Sequence, residues 1–328
     1  MIKQAVLAGL VLIATATPTP GSAQTLLVLN KSDATLSFID ASSGKTVGSV
    51  PTGEGPHEIA VSADGKLAFV ANYGAQTPGQ TISVIDVASK KELRRVDVSP
   101  MRRPHGLHVA EGKLFFTAEV NRVIGRYDPA ANQIDWLLGT GQVGTHMVST
   151  NSTKDVTQIY TANIGGDSIC VIDKGQNPQA WNVTVVPVGK GPEGFDVSPD
   201  GKELWAAHSR DGGVSVIDLA TKKVTQTFDV QTKRSNRLKF TPDGKHVLIS
   251  DLDAGDLVVF DVATKKTLKR IPLGKQPEGI LIVPDGARAY VAVAGDNKLA
   301  IIDLKTFEVA GQVTTGGGPD GMAWVPKS

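Results

Sequence analysis

The sequence predicts an all-β fold, a seven-bladed propeller with four strands per blade, and three observations carry that reading. One motif recurs along the chain at spacings of 41 to 48 residues. Within each copy, apolar and polar residues alternate between Gly, Pro and Asp turns, the pattern of short half-buried strands. The two ends of the chain supply complementary parts of one incomplete unit.

The recurring unit opens with a Gly/Pro turn and an apolar stretch. A Pro-Asp-Gly-Lys type turn follows, then an alternating strand, a second strand ending in Asp, and a Thr-Lys-Lys turn. "GPHEIAVSADGKLAFVANYG" from Gly55 aligns with "GPEGFDVSPDGKELWAAHSRDGGVSVIDLATKK" from Gly191 and "QPEGILIVPDGARAYVAVAGDNKLAIIDLKT" from Gln276. The copies begin near His57, His105, His146, Glu193, Asn236, Glu278 and Asp320, and such a period suits one propeller blade of four short strands. At the start of the repeat region, "TLLVLN", "TLSFID" and "TVGSV" read as a blade's second, third and fourth strands; "PDGMAWVP" after Gly318 reads as a first strand with nothing following it. Joining them closes the ring and removes exposed sheet edges.

Lys3, an apolar run from Ala5 to about Ala16, and the small residues Gly21, Ser22 and Ala23 form a secretory leader. Cleavage is expected after Ala23, giving a leader of residues 1–23 and one propeller domain of residues 24–328, with a periplasmic or secreted location. The apolar run is shorter than the roughly 20 residues of a spanning helix. Cys170 is the sole cysteine, so the chain has no internal disulfide and no paired-cysteine haem or zinc motif. The 34 basic and 33 acidic residues are spread without blocks, which argues against a nucleic-acid or anionic-membrane footprint.

The segments "FVANYG", "ISVIDVASKK" and "VSVIDLATKK" resemble the YVTN-type, lactonase-like β-propeller repeat family across the whole mature chain. That resemblance implies the fold and leaves the function open among lactonases, metal-dependent lyases, subunits of periplasmic redox enzymes and binding proteins.

Internal repetition separates scaffold from site. Asp40, Asp86, Asp128, Asp173, Asp218, Asp261 and Asp303 end every third strand and are expected to cap the following turn, as Asp does in Asx-turns. Two sets of positions differ between copies. The first residues of the innermost strands, His57, His105, His146, Glu193, Asn236, Glu278 and Asp320, are all polar. The ends of the second strands are Asn30, Asn72, Glu119, Asn163, His208, Asp251 and Val293. Strand alternation brings both sets to one mouth of the channel.

Four of the six histidines occupy these fourteen positions, where random placement would put about 0.3 of one. Imidazole is the commonest donor for zinc, copper, iron or nickel. His57, His105, His146 and His208 are therefore expected to bind a divalent transition metal, with Glu119 or Glu193 moving protons. Asn72, Asn163, Asn236, Asp251, Glu278 and Asp320 complete the mouth, and Arg234 and Arg237 are candidates for holding an anionic group. His108, three residues beyond His105, is expected to face away from the channel. Cys170 and the four tryptophans read as packing residues. The leading expectation is a monomeric, metal-dependent hydrolase or lyase acting on a small molecule, such as a lactone or ester. The alternatives are a non-catalytic metal- or ligand-binding protein and a partner of a periplasmic redox enzyme.

Overall fold

The computed structural model describes residues 24–177 and 180–325, so the leader expected over residues 1–23 lies outside the described residues. Seven antiparallel four-stranded sheets make up the ring. Blade 1 joins Thr25–Asn30, Thr35–Asp40 and Lys45–Pro51 to Pro319–Trp324 from the far end of the sequence. Blades 2 to 7 occupy residues 56–97, 104–139, 145–187, 192–229, 235–272 and 277–314. The expected closure is present, with Leu26 paired to Trp324 and Leu27 to Ala323. One 3-10 turn, Ala294–Asp296, is the only helix among the described residues, and no helix there is long and apolar enough to cross a membrane.

Second and third strands are sandwiched between neighbouring blades, which explains runs such as Leu26–Leu29 that are apolar on both faces and fully buried. Between blades 5 and 6, Trp205 packs its ring 5.4 Å from Phe240 and 6.0 Å from Phe260. Trp136 packs on Trp181 and Phe115 between blades 3 and 4, and Cys170 is buried in the same core cluster as a small hydrophobe. Each such large side chain contributes about 1.5–3 kcal/mol by leaving water.

Asp40, Asp86, Asp128, Asp218, Asp261 and Asp303 accept backbone N–H groups two or three residues ahead, as the turn chemistry requires. Asp173 departs from the set. Its strand runs on through Lys174 in place of a Thr-Lys-Lys turn, and its carboxylate takes the Gln158 amide at 2.9 Å and the Lys222 ammonium.

Candidate functional site

The channel is lined by the innermost strands Pro319–Trp324, Pro56–Val61, Pro104–Ala110, Thr145–Thr150, Pro192–Val197, Ser235–Phe240 and Pro277–Ile282. In all seven, pairing with the second strand slips just after the first residue. This β-bulge adds one residue per strand and re-aims the side chains around it. The innermost strands also approach one another closely. A Cβ on Gly194 would come within 2.6 Å of Arg237 Cα, and one on Gly321 within 2.5 Å of the His57 carbonyl oxygen. Only glycine fits there.

His57, His105, His146, Glu193, Asn236, Glu278 and Asp320 form one polar layer. All but His57 are buried. His105 stacks on His146 with ring centroids 3.7 Å apart and lies 4.8 Å from His57. His57 stacks on Tyr73 at 4.9 Å. A hydrogen-bond chain runs along the rim of this side: Arg103 donates to the Tyr73 hydroxyl at 2.9 Å, Tyr73 donates to Glu119 at 2.5 Å, and Glu119 holds His146 Nδ1. On the other side, Lys31 bonds Glu278 and sits 3.2 Å from Asp320, while Asn236 donates to Glu193 at 2.7 Å. Burial pushes Lys31 down, yet Asp320 and Glu278 more than offset it, so its ammonium is held.

The second predicted set divides. Asn72 accepts from Gly53 N at 2.9 Å and donates to Thr81 and Ser83. Asp251 accepts from Lys233 N and Arg234 N, and Asn163 bonds Ser168. Asn30 donates to Thr35 and Ser37, and Val293 lies in an apolar cluster. His208 is buried against Asp211 at 2.9 Å and accepts weakly from Gly189 N at 3.3 Å. Asn72, Asp251 and His208 thereby bind the blade to its incoming turn, whereas Asn30 and Asn163 bond the neighbouring third strand, and the structure does not bring His208 together with the other three histidines.

The equivalent position in blade 3 is Ala118, paired with Pro104 as Asn72 is paired with Pro56. Glu119 stands one residue further, in register with Lys31 and Tyr73, and that single step turns it into the mouth. Lys31 and Tyr73 are thus site residues that the sequence reading missed. They were findable as the residues that follow Asn30 and Asn72.

Two further placements differ from expectation. Arg237 lies within the channel with its guanidinium bonded to Glu58 of blade 2 and 4.0 Å from Asp320, whereas Arg234 is exposed at the rim. Burial disfavours the Arg237 charge, but Glu58 and Asp320 hold it firmly protonated. His108 does not face away. The bulge after His105 reverses the parity, and His108 lines a cavity of about 230 Å³ on the far side of the Arg237–Glu58 bridge.

A family model for YNCE-like β-propellers matches residues 9–113 and 117–288. The chain belongs to the YNCE-like β-propeller family. Among proteins of curated function, none matches the sequence. The fold of this YNCE-like propeller is similar to a candidate 6-phosphogluconolactonase from Bacteroides uniformis, at a TM-score of 0.77 and 15% identity, covering 92% of this chain and 99% of that one. The periplasmic gluconolactonase PpgL of Pseudomonas aeruginosa aligns at 0.74 and 18% identity over 94% and 100%. Hydrazine synthase of Kuenenia stuttgartiensis aligns at 0.74 and 18% over 90% and 99%.

In the YNCE-like propeller, six of the eight buried side-chain atoms left without a hydrogen-bond partner among the described residues gather in one place. His57 Nδ1, both ring nitrogens of His105, His146 Nε2, Glu193 Oε2 and Asp320 Oδ1 are all so placed, on five consecutive blades. Burial keeps His57 down to about 3 and His105 well below the usual imidazole value, so both rings are neutral with lone pairs available. Burial also opposes the Glu119 charge, but His146 and Tyr73 outweigh it and hold the carboxylate ionised. Among the described residues, no three His, Cys, Asp or Glu side chains already converge on one ion position. The His105–His146 stack explains why: imidazole lone pairs lie in the ring plane, and rings stacked face to face aim theirs side by side.

Proposed function

We propose that this propeller is a periplasmic enzyme that hydrolyses a small lactone or ester at the channel mouth, with His57, His105 and His146 holding a divalent transition metal. The observation that carries this reading is the set of four imidazole nitrogens that are buried yet unpartnered. Each would cost about 1–3 kcal/mol if left so, and a donor set of imidazoles suits zinc, copper, iron or nickel better than calcium or magnesium. Capture needs His105 to turn out of its stack.

When bound, such an ion polarises the substrate carbonyl. The remaining tasks fall to this chain. Glu119 fixes the His146 tautomer through Nδ1, the usual support for a ligating imidazole. Glu193 keeps one oxygen on Asn236 and the other unpartnered, available to move a proton. Tyr73 and Arg103 brace Glu119 and border the entrance. The periplasmic assignment rests on the leader-like first 23 residues and on the likeness to a periplasmic gluconolactonase.

One observation favours a metal-free variant. Glu119 and His146 already form a base and its orienting group, with Nε2 free to activate water.

The test is to purify the full chain from a periplasm, measure its metal by mass spectrometry, and assay γ-lactones, δ-lactones and aryl esters with and without a chelator. A His57/His105/His146→Ala variant, verified as folded, is run beside it. Near-stoichiometric metal and chelator-sensitive turnover, both absent from the variant, are expected. Turnover that resists chelation but fails in His146→Ala selects the metal-free reading. Metal without turnover makes the protein a metal-binding one, and neither metal nor turnover overturns the proposal.

A further inference from the structure

The Arg237–Glu58 bridge crosses the channel between blades 6 and 2 and divides it. Beyond it lies the cavity of about 230 Å³, to which all seven innermost strands contribute, so it is the axial channel itself seen from the opposite face. The mouth chemistry uses nothing in it.

The charges of this chamber are unevenly satisfied. Glu58 is taken by Arg237. Asp196 accepts the Phe240 backbone N–H at 3.0 Å. Lys239 reaches Asp196 only loosely, at 3.6 Å, and its side chain remains 42% exposed. His108 Nε2 is buried without a partner. Glu58 is fully engaged, Lys239 is only loosely paired, and the His108 imidazole nitrogen has no partner. Leu107, Phe195, Leu281 and Met322 supply an apolar stretch of the wall, with Ser149 beside it.

We propose that this chamber is a second binding site, distinct from the mouth, for a short-chain carboxylate whose head group rests on Lys239 and His108 and whose chain lies among Leu107, Phe195, Leu281 and Met322. Burial and then the Lys239 charge hold His108 down to about 4. At neutral pH it is therefore uncharged and free to donate from Nε2. At roughly 30 Å³ per water-sized group, the volume accommodates about seven or eight non-hydrogen atoms. Hexanoate is of that size.

The experiment is calorimetric titration of the full chain with hexanoate, hexanol and hexylamine, repeated on Lys239→Gln, His108→Ala and, as a control at the other end of the channel, His57→Ala. Lys239 is half exposed, so its substitution leaves folding intact, and melting temperatures verify this. Saturable hexanoate binding is expected, weakened roughly tenfold or more by Lys239→Gln because a charge-assisted hydrogen bond is lost. His108→Ala also weakens it, His57→Ala leaves it unchanged, and hexylamine does not bind. Absence of saturable hexanoate binding overturns the proposal. So does equal binding of all three compounds, or hexanoate affinity that Lys239→Gln does not move.

Discussion

Glu119 and His146 are joined through Nδ1 across the boundary between blades 3 and 4, which leaves Nε2 as the one ring nitrogen of His146 without a partner. Removing the carboxylate frees the ring to rotate. Glu119→Ala is expected to weaken metal retention about 10- to 100-fold, the usual effect of deleting such a support, in a chelator competition. An unchanged affinity would place Glu119 outside the site.

His208 tests the same site from the opposite direction. Its bonds are to Asp211 in blade 5 and to Gly189 in the turn that leads into that blade. His208→Ala should lower stability by about 1–3 kcal/mol, the cost of leaving buried groups unsatisfied, as read by urea unfolding. Metal content should stay as in the unaltered protein.

The bridge that divides the channel predicts strong non-additivity. Arg237→Met alone strands the buried Glu58 and should cost about 3–5 kcal/mol, whereas the Arg237→Met/Glu58→Leu double variant should recover most of that loss. Two single losses that simply sum in denaturant titrations would show that the pair is not coupled.

Glu278 gives a pH signature. Burial, and then the neighbouring Asp320, raise its folded-state value from 4.5 to about 8. A carboxyl raised in this way favours the folded state fully below about pH 4.5, and that contribution is lost as pH climbs towards 8. Glu278→Gln mimics the protonated form, so its melting temperature should improve relative to the unaltered chain between pH 5 and pH 8. A constant offset across that window would mean that Glu278 stays ionised throughout.

Most of the architecture was legible because each blade repeats the same local chemistry. The alternating strands announce themselves in every blade and the Asp-capped turns in six of the seven, and "PDGMAWVP" matches the first strand missing from the opening blade. The first polar layer was legible for the same reason, since the Gly/Pro turn fixes its register. The second layer was not. In blade 3 the aligned position carries Ala118, and the neighbouring Glu119 attracted the assignment because it is polar, although it belongs in register with Lys31 and Tyr73. A bulge leaves no compositional mark, so the turn of His108 into the far chamber emerged only from strand pairing. Asn72 and Asp251 were polar for the sake of backbone groups in the incoming turn, and Asn30 for hydroxyls of the neighbouring strand, demands that sequence polarity alone does not distinguish from a ligand's.

The pairing of Leu26 with Trp324 has a bearing on how the molecule is made. During synthesis at about 5–20 residues per second, the partner of the Thr25–Asn30 strand emerges on the order of 15 to 60 s after that strand. Until then its buried apolar run, Leu26 to Leu29, presents an unpaired edge of the kind that seeds misassembly. Blades 2 to 7 can stack as they emerge, but the first waits for the last. A chain stopped short of Pro319 would be a nearly complete ring with one open seam.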